Sequence, residues 1–143
     1  MLRWLVIVHV LGATIWVGGH LILAIRYLPK ALQEKSTAPI VGFEHHYEAL
    51  GLPALALQVI TGIWMAHIYQ VEWFSFETVH YAIINTKIIL LLCTVLLAIH
   101  ARVFIIPSLT PKKLPLLASH IILVTIIAVA MPYLGLSFRL GMG

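Results

Sequence analysis

Four apolar stretches, each long enough to cross a bilayer, occupy most of this chain and leave it few ways to fold. In hydrocarbon every backbone N–H and C=O must be paired internally, so only helices and closed barrels span. One helical crossing takes about 20 apolar residues. The runs read as helices over 3–28, 48–70, 79–106 and 113–137. The expected fold is all-α: an integral membrane four-helix antiparallel bundle, a single transmembrane domain over 1–143. With 62% of its residues hydrophobic and 10% charged, the chain has no material for a separate soluble domain.

The polar residues gather in the connections. The first, YLPKALQEKSTAPIVGFEHHYEAL, holds Pro29 and Pro39, and its second half is suited to extend the second helix. The short VEWFSFE segment places Trp73 where an interfacial aromatic belt expects it. The third connection, IPSLTPKKLP, combines turn-forming prolines with Lys112 and Lys113. Only Arg3 precedes the first run, which outlasts a signal-peptide core, so it reads as a retained helix. Cys93 stands alone and is expected to be a small buried apolar residue.

Charge then sets the orientation. Arg26, Lys30, Lys35, Arg102, Lys112 and Lys113 fall beside the first and third connections, against Arg3 and Arg139 on the other side. The positive-inside rule therefore predicts both termini outside, in a bacterial-type inner (cytoplasmic) membrane. That rule accounts for the formal charge of +4, and no nucleic-acid partner is expected.

Against this oily background stand eight histidines. Ionisable residues in a span are costly and usually face a bundle interior, where they act. His9 and His20 are eleven residues apart, about three helical turns, so they point the same way at depths ~16 Å apart. His67, His80 and Lys87 lie at the outer level of His9; His100 and His120 lie at the inner level of His20. His45 and His46 sit just before helix two, and His80 near an interface, where solvated or structural roles are the plainer reading. His67 stands beside Trp64 and Met65, which suggests burial. Lys87 either snorkels outward or stays inside as a ligand, proton carrier or catalytic group.

Neutral imidazole is a common ligand of metals and haem iron. Stacked imidazoles at two depths thus suggest haem b, two per chain. The outer haem would use His9 with His67 or Lys87, and the inner one His20 with His100 or His120; His46 completes the set of candidate ligands. Gly12, Gly18, Gly19, Gly51 and Gly62 admit either close helix packing or a flat macrocycle. Trp16, Trp64 and Phe104 line a pocket or simply pack.

The segment HVLGATIWVGG, His9 to Gly19, resembles the first-helix pattern of the copper-resistance D family and of the HemJ-type protoporphyrinogen oxidases. His9, Trp16 and Gly19 match it. The stretch TKIILLLCTVLLAIHARV is similar to the HemJ third helix, with Lys87 and His100 in the matching places. The resemblance implies that His9 and Lys87 matter for haem b and for activity. YLPK begins farther from its tryptophan than the corresponding HemJ motif does, and His20 and His120 lie outside the pattern.

The leading expectation is a membrane-bound b-type haem protein, in electron transfer or oxidoreduction with a quinol or a small gas, O2 or NO. Its expected partners are membrane lipid, a quinol or redox-protein donor, and a second copy in a homo-oligomer. A different reading is copper transport or resistance, with copper held by histidine and methionine. Met1, Met65, Met131 and Met142 make no spaced series for such a path. HemJ-like protoporphyrinogen oxidation is a third reading, and a structural subunit of a larger complex is a fourth.

Overall fold

The computed structural model describes residues 1–140, so Met142 lies outside the described residues. It contains four long helices: α1 (Leu2–Glu34), α2 (Ala38–Ile68), α3 (Val79–Ser108) and α4 (Pro111–Leu140). All four are long and apolar enough to cross a membrane. No strand occurs among the described residues.

The helices run past several expected ends, and proline chemistry explains why. Pro29 crowds the carbonyl four residues back, which would break an ordinary α-turn. The chain answers with a π-helical turn over Leu23–Tyr27, in which the Leu28 N–H reaches back to the Leu23 carbonyl. The same device precedes Pro107: a π turn over Ala101–Ile105, with the Ile106 N–H bonded to the Ala101 carbonyl. Pro39 falls in the first turn of α2, where its missing N–H breaks no bond. The link between α1 and α2 is therefore only residues 35–37, with Lys35 in the left-handed region at φ 49°. His45 and His46 lie within α2, not in a loop before it.

Helix α1 packs along α2 and against α4, and α4 also packs against α3. Helices α2 and α3 do not form a packed pair. The buried core is concentrated at the basic end, where Leu28, Ala31, Ile40, Ile105 and Leu114 close together. At the other end Asn85 ties down the link between α2 and α3. Its Nδ2 donates to the carbonyls of Glu72 (3.0 Å) and Ser75 (2.7 Å), and its Oδ1 accepts from the Phe74 N–H (3.0 Å).

Large apolar side chains are exposed on every helix, including Ile25, Ile60, Leu92 and Ile126. Cys93 is exposed as well, contrary to the burial expected of it. In lipid such a surface contributes no drive to assemble, so helices associate through close packing and interhelical hydrogen bonds. Both occur here. A Cβ at Gly12 would stand 3.2 Å from the Ala54 carbonyl oxygen, and Thr125 on α4, whose hydroxyl donates to the Ile121 carbonyl at 2.6 Å, shares that proton with the His20 carbonyl on α1 at 3.3 Å.

Candidate functional site

Two polar centres lie inside the bundle, one at each level expected from the spacing of His9 and His20. The terminal-level centre is built on His9. Its Nδ1 is 2.8 Å from Thr61 Oγ1 on α2, and Thr61 donates its own proton to the Leu57 carbonyl at 2.6 Å. With that proton engaged, Thr61 can only accept, so the network assigns the His9 proton to Nδ1 and leaves Nε2 bare. The ring rests on Gly62, where a Cβ would stand 3.4 Å from it.

Lys87 reaches the same half of the bundle from α3. Its amine does not snorkel outward; it lies against Gly135 of α4, where a Cβ would stand 3.3 Å from Nζ. Lys87 has no ion pair or hydrogen bond among the described residues. Gln58, next to Gly12 on the α1–α2 seam, carries a buried Nε2 with no partner among the described residues. The expected partner His67 is exposed, not buried beside Trp64 and Met65, and no hydrogen bond among the described residues joins it to His9. His80 stacks edge-on against Phe138 at 5.1 Å, as a structural residue does.

The basic-level centre surrounds a cavity of about 130 Å³ lined from all four helices. His20 and His120 both face it. His20 gives its Nδ1 proton to the Trp16 carbonyl one turn back (3.0 Å), which leaves its Nε2 bare. His120 does the same with the Leu116 carbonyl (3.0 Å), but its Nε2 then accepts from His100 Nδ1 at 2.9 Å. The two rings stack at 12° between planes. The structure thus joins His100 to His120 and occupies the nitrogen that His120 would have offered to iron.

Tyr47 fills the seam between α1 and α2. Its hydroxyl donates to the carbonyls of Ile15 (3.1 Å) and Trp16 (3.2 Å), and its ring lies between two glycines. A Cβ at Gly19 would approach the ring to 2.1 Å and one at Gly51 to 2.6 Å, whereas Gly18 faces open space. These glycines therefore serve an aromatic side chain, not a macrocycle. Across the cavity mouth Arg102 on α3 pairs with Glu48 on α2, while Glu44 has no such partner among the described residues.

Other expectations fall away from both centres. His46 is exposed and bonded through Nδ1 to the Gly42 carbonyl at 2.7 Å, with His45 edge-on to it. Trp64 and Phe104 are exposed, while Trp16 lines the cavity. No group of three or more His, Cys, Asp or Glu side chains among the described residues is placed to hold a metal ion. Thr61, Gln58 and the arrangement around Tyr47 do not stand out in the sequence. A faint signal exists for the first two: they lie three apart on α2, on one face and at the depth of His9.

The chain matches no family model, no curated protein and no solved structure.

Proposed function

We propose that this chain is a membrane-embedded b-type haem protein with one haem at the terminal level, held through His9 and Lys87, acting in electron transfer or oxidoreduction. The observation that carries the reading is His9: a ring fixed through Nδ1, with a bare Nε2, inside an apolar bundle. A second hydrogen bond of this kind fixes the orientation of metal-ligating histidines and raises their basicity.

The terminal level fits the group on three further counts. Lys87 supplies a nitrogen from α3 with no competing counter-charge among the described residues. Gly62 and Gly135 let the His9 ring and the Lys87 amine lie close against the backbones of α2 and α4. Gln58 offers a buried donor still lacking an acceptor. When bound, haem supplies a one-electron iron centre whose potential follows from its axial ligands, burial and nearby hydrogen bonds. Thr61 holds the His9 ring and its tautomer, and the apolar helix surfaces exclude water from the site.

A second haem at the basic level, held by His20 with His100 or His120, is less well supported. As a ligand His120 would have to release His100, whereas His100 keeps a bare Nε2; the cavity of about 130 Å³ is well below the ~300 Å³ at which pockets for organic ligands begin. The reading therefore rests on the haem at the terminal level.

The basic residues at the link of α1 to α2 and of α3 to α4 support a reading with those ends in the cytoplasm and both termini outside, in a cytoplasmic membrane. HemJ-like porphyrinogen oxidation is the second reading, favoured because His9 and Lys87 share one level. No observation favours copper over these.

The test is spectroscopic. The purified chain should be red, with a Soret band, a b-type haemochrome and about one haem per chain. His9→Ala should abolish the band, and His20→Ala should leave it. A porphyrinogen-oxidation assay on the same preparations separates the two readings.

A further inference from the structure

The basic-level cavity is unused by the haem reading, and its size and lining select a different ligand. Its volume of about 130 Å³ is close to that of a ~150 Å³ apolar cavity known to take up benzene, so it accommodates one six-membered ring. Leu23, Ile121 and Val124 supply apolar walls for such a ring.

The polar side of the cavity consists mainly of acceptors. His20 has committed its proton to the Trp16 carbonyl and turns a bare Nε2 to the bundle. Tyr47 has committed its proton to α1 carbonyls, leaving its oxygen lone pairs. Glu44 contributes a carboxyl group with no hydrogen-bond or salt-bridge partner among the described residues. Two donors share this lining, the Trp16 indole N–H and Arg102, which directs its Nη1 to Glu48. A ligand with O–H groups complements the acceptors His20, Tyr47 and Glu44.

The rim lies between α2 and α3, the two helices that do not pack together, and includes Leu52, which is 50% exposed. A ligand entering there comes from the apolar surroundings and can leave an apolar tail outside. We infer that this cavity binds the ring of a lipid-dissolved hydroquinone, whose hydroxyls donate to Glu44 and His20. A hydroquinone is one of the electron donors that the haem reading admits, and to that extent the inference rests on it. Binding itself needs no haem.

The experiment uses the full chain in nanodiscs, titrated by equilibrium dialysis with decylhydroquinone, its dimethyl ether and decylbenzene. Saturable binding of the diol is expected, with the ether and the hydrocarbon roughly ten- to hundredfold weaker, as the loss of two hydrogen bonds predicts. Glu44→Gln should weaken diol binding, and Ala98→Trp, which adds an indole at the cavity lining, should remove it. Circular dichroism and gel filtration check that each variant folds; should one fail, the other and the three-ligand comparison on the unmodified chain decide. Equal binding of diol and ether, or undiminished binding in folded Ala98→Trp, would overturn the inference. A colourless protein that prefers the diol sinks the haem reading alone. A red protein with no preference sinks only the ring site.

Discussion

His9 on α1 and Thr61 on α2 are joined at 2.8 Å, and Thr61 passes its own proton to Leu57 at 2.6 Å, so the histidine is held in a single tautomer. The contact joins two helices and exposes a nitrogen lone pair at once. Removing the acceptor while keeping the shape separates these roles. Thr61→Val should leave the helical content unchanged and weaken haem retention by about 10- to 100-fold, the usual effect of losing a ligand's outer partner. Thr61→Ser should restore it. Haem transfer to an apo-globin acceptor provides the measurement.

The tautomers can be read directly. Carbonyl acceptors fix the proton on Nδ1 in His20, His46 and His120, and the bond to His120 fixes it there in His100. Nitrogen-15 spectra of the histidine-labelled protein without haem should report a protonated Nδ1 at these four positions and at His9. An Nε2-protonated ring at His20 would contradict the acceptor count on which the ring site depends.

Tyr47 makes the glycines of the α1–α2 seam unequal. Gly19→Ala and Gly51→Ala should each destabilise the bundle by about 1–3 kcal/mol, the cost of overpacking a filled core. Gly18→Ala, whose new methyl group meets open space, should be neutral or stabilising by up to about 1 kcal/mol. Unfolding in mixed micelles ranks the three, and an equal effect at all three sites would refute the ring-clamp account.

The Arg102–Glu48 pair spans two helices that otherwise do not pack, yet its side chains are 49% and 41% exposed. An ion pair that open contributes little to stability. Glu48→Gln should therefore leave global stability nearly unchanged while widening the α2–α3 separation, measured between spin labels on those helices. A marked loss of stability would show that the pair is shielded by lipid.

The four helices are legible in the sequence because run length and the demand for internal backbone pairing admit little else. Their ends are not. Pro29 and Pro39 look like breakers in a string of letters, but one follows a π turn and the other opens a helix, so both are absorbed. The two levels of polar residues are legible from the spacing of His9 and His20. Their partners are not, because whether His120 offers its Nε2 to a ligand or to His100 depends on how α3 turns against α4. Gln58 and Thr61 are inconspicuous for a similar reason: single polar residues in an apolar run acquire meaning only from what the neighbouring helix places opposite them.

The absorption spectrum of the purified chain, produced with ample iron and porphyrin, tests the central claim most directly. A Soret band equivalent to about one haem per chain, lost in His9→Ala and kept in His20→Ala, is the predicted result. A colourless protein, or a band that survives His9→Ala, would contradict it.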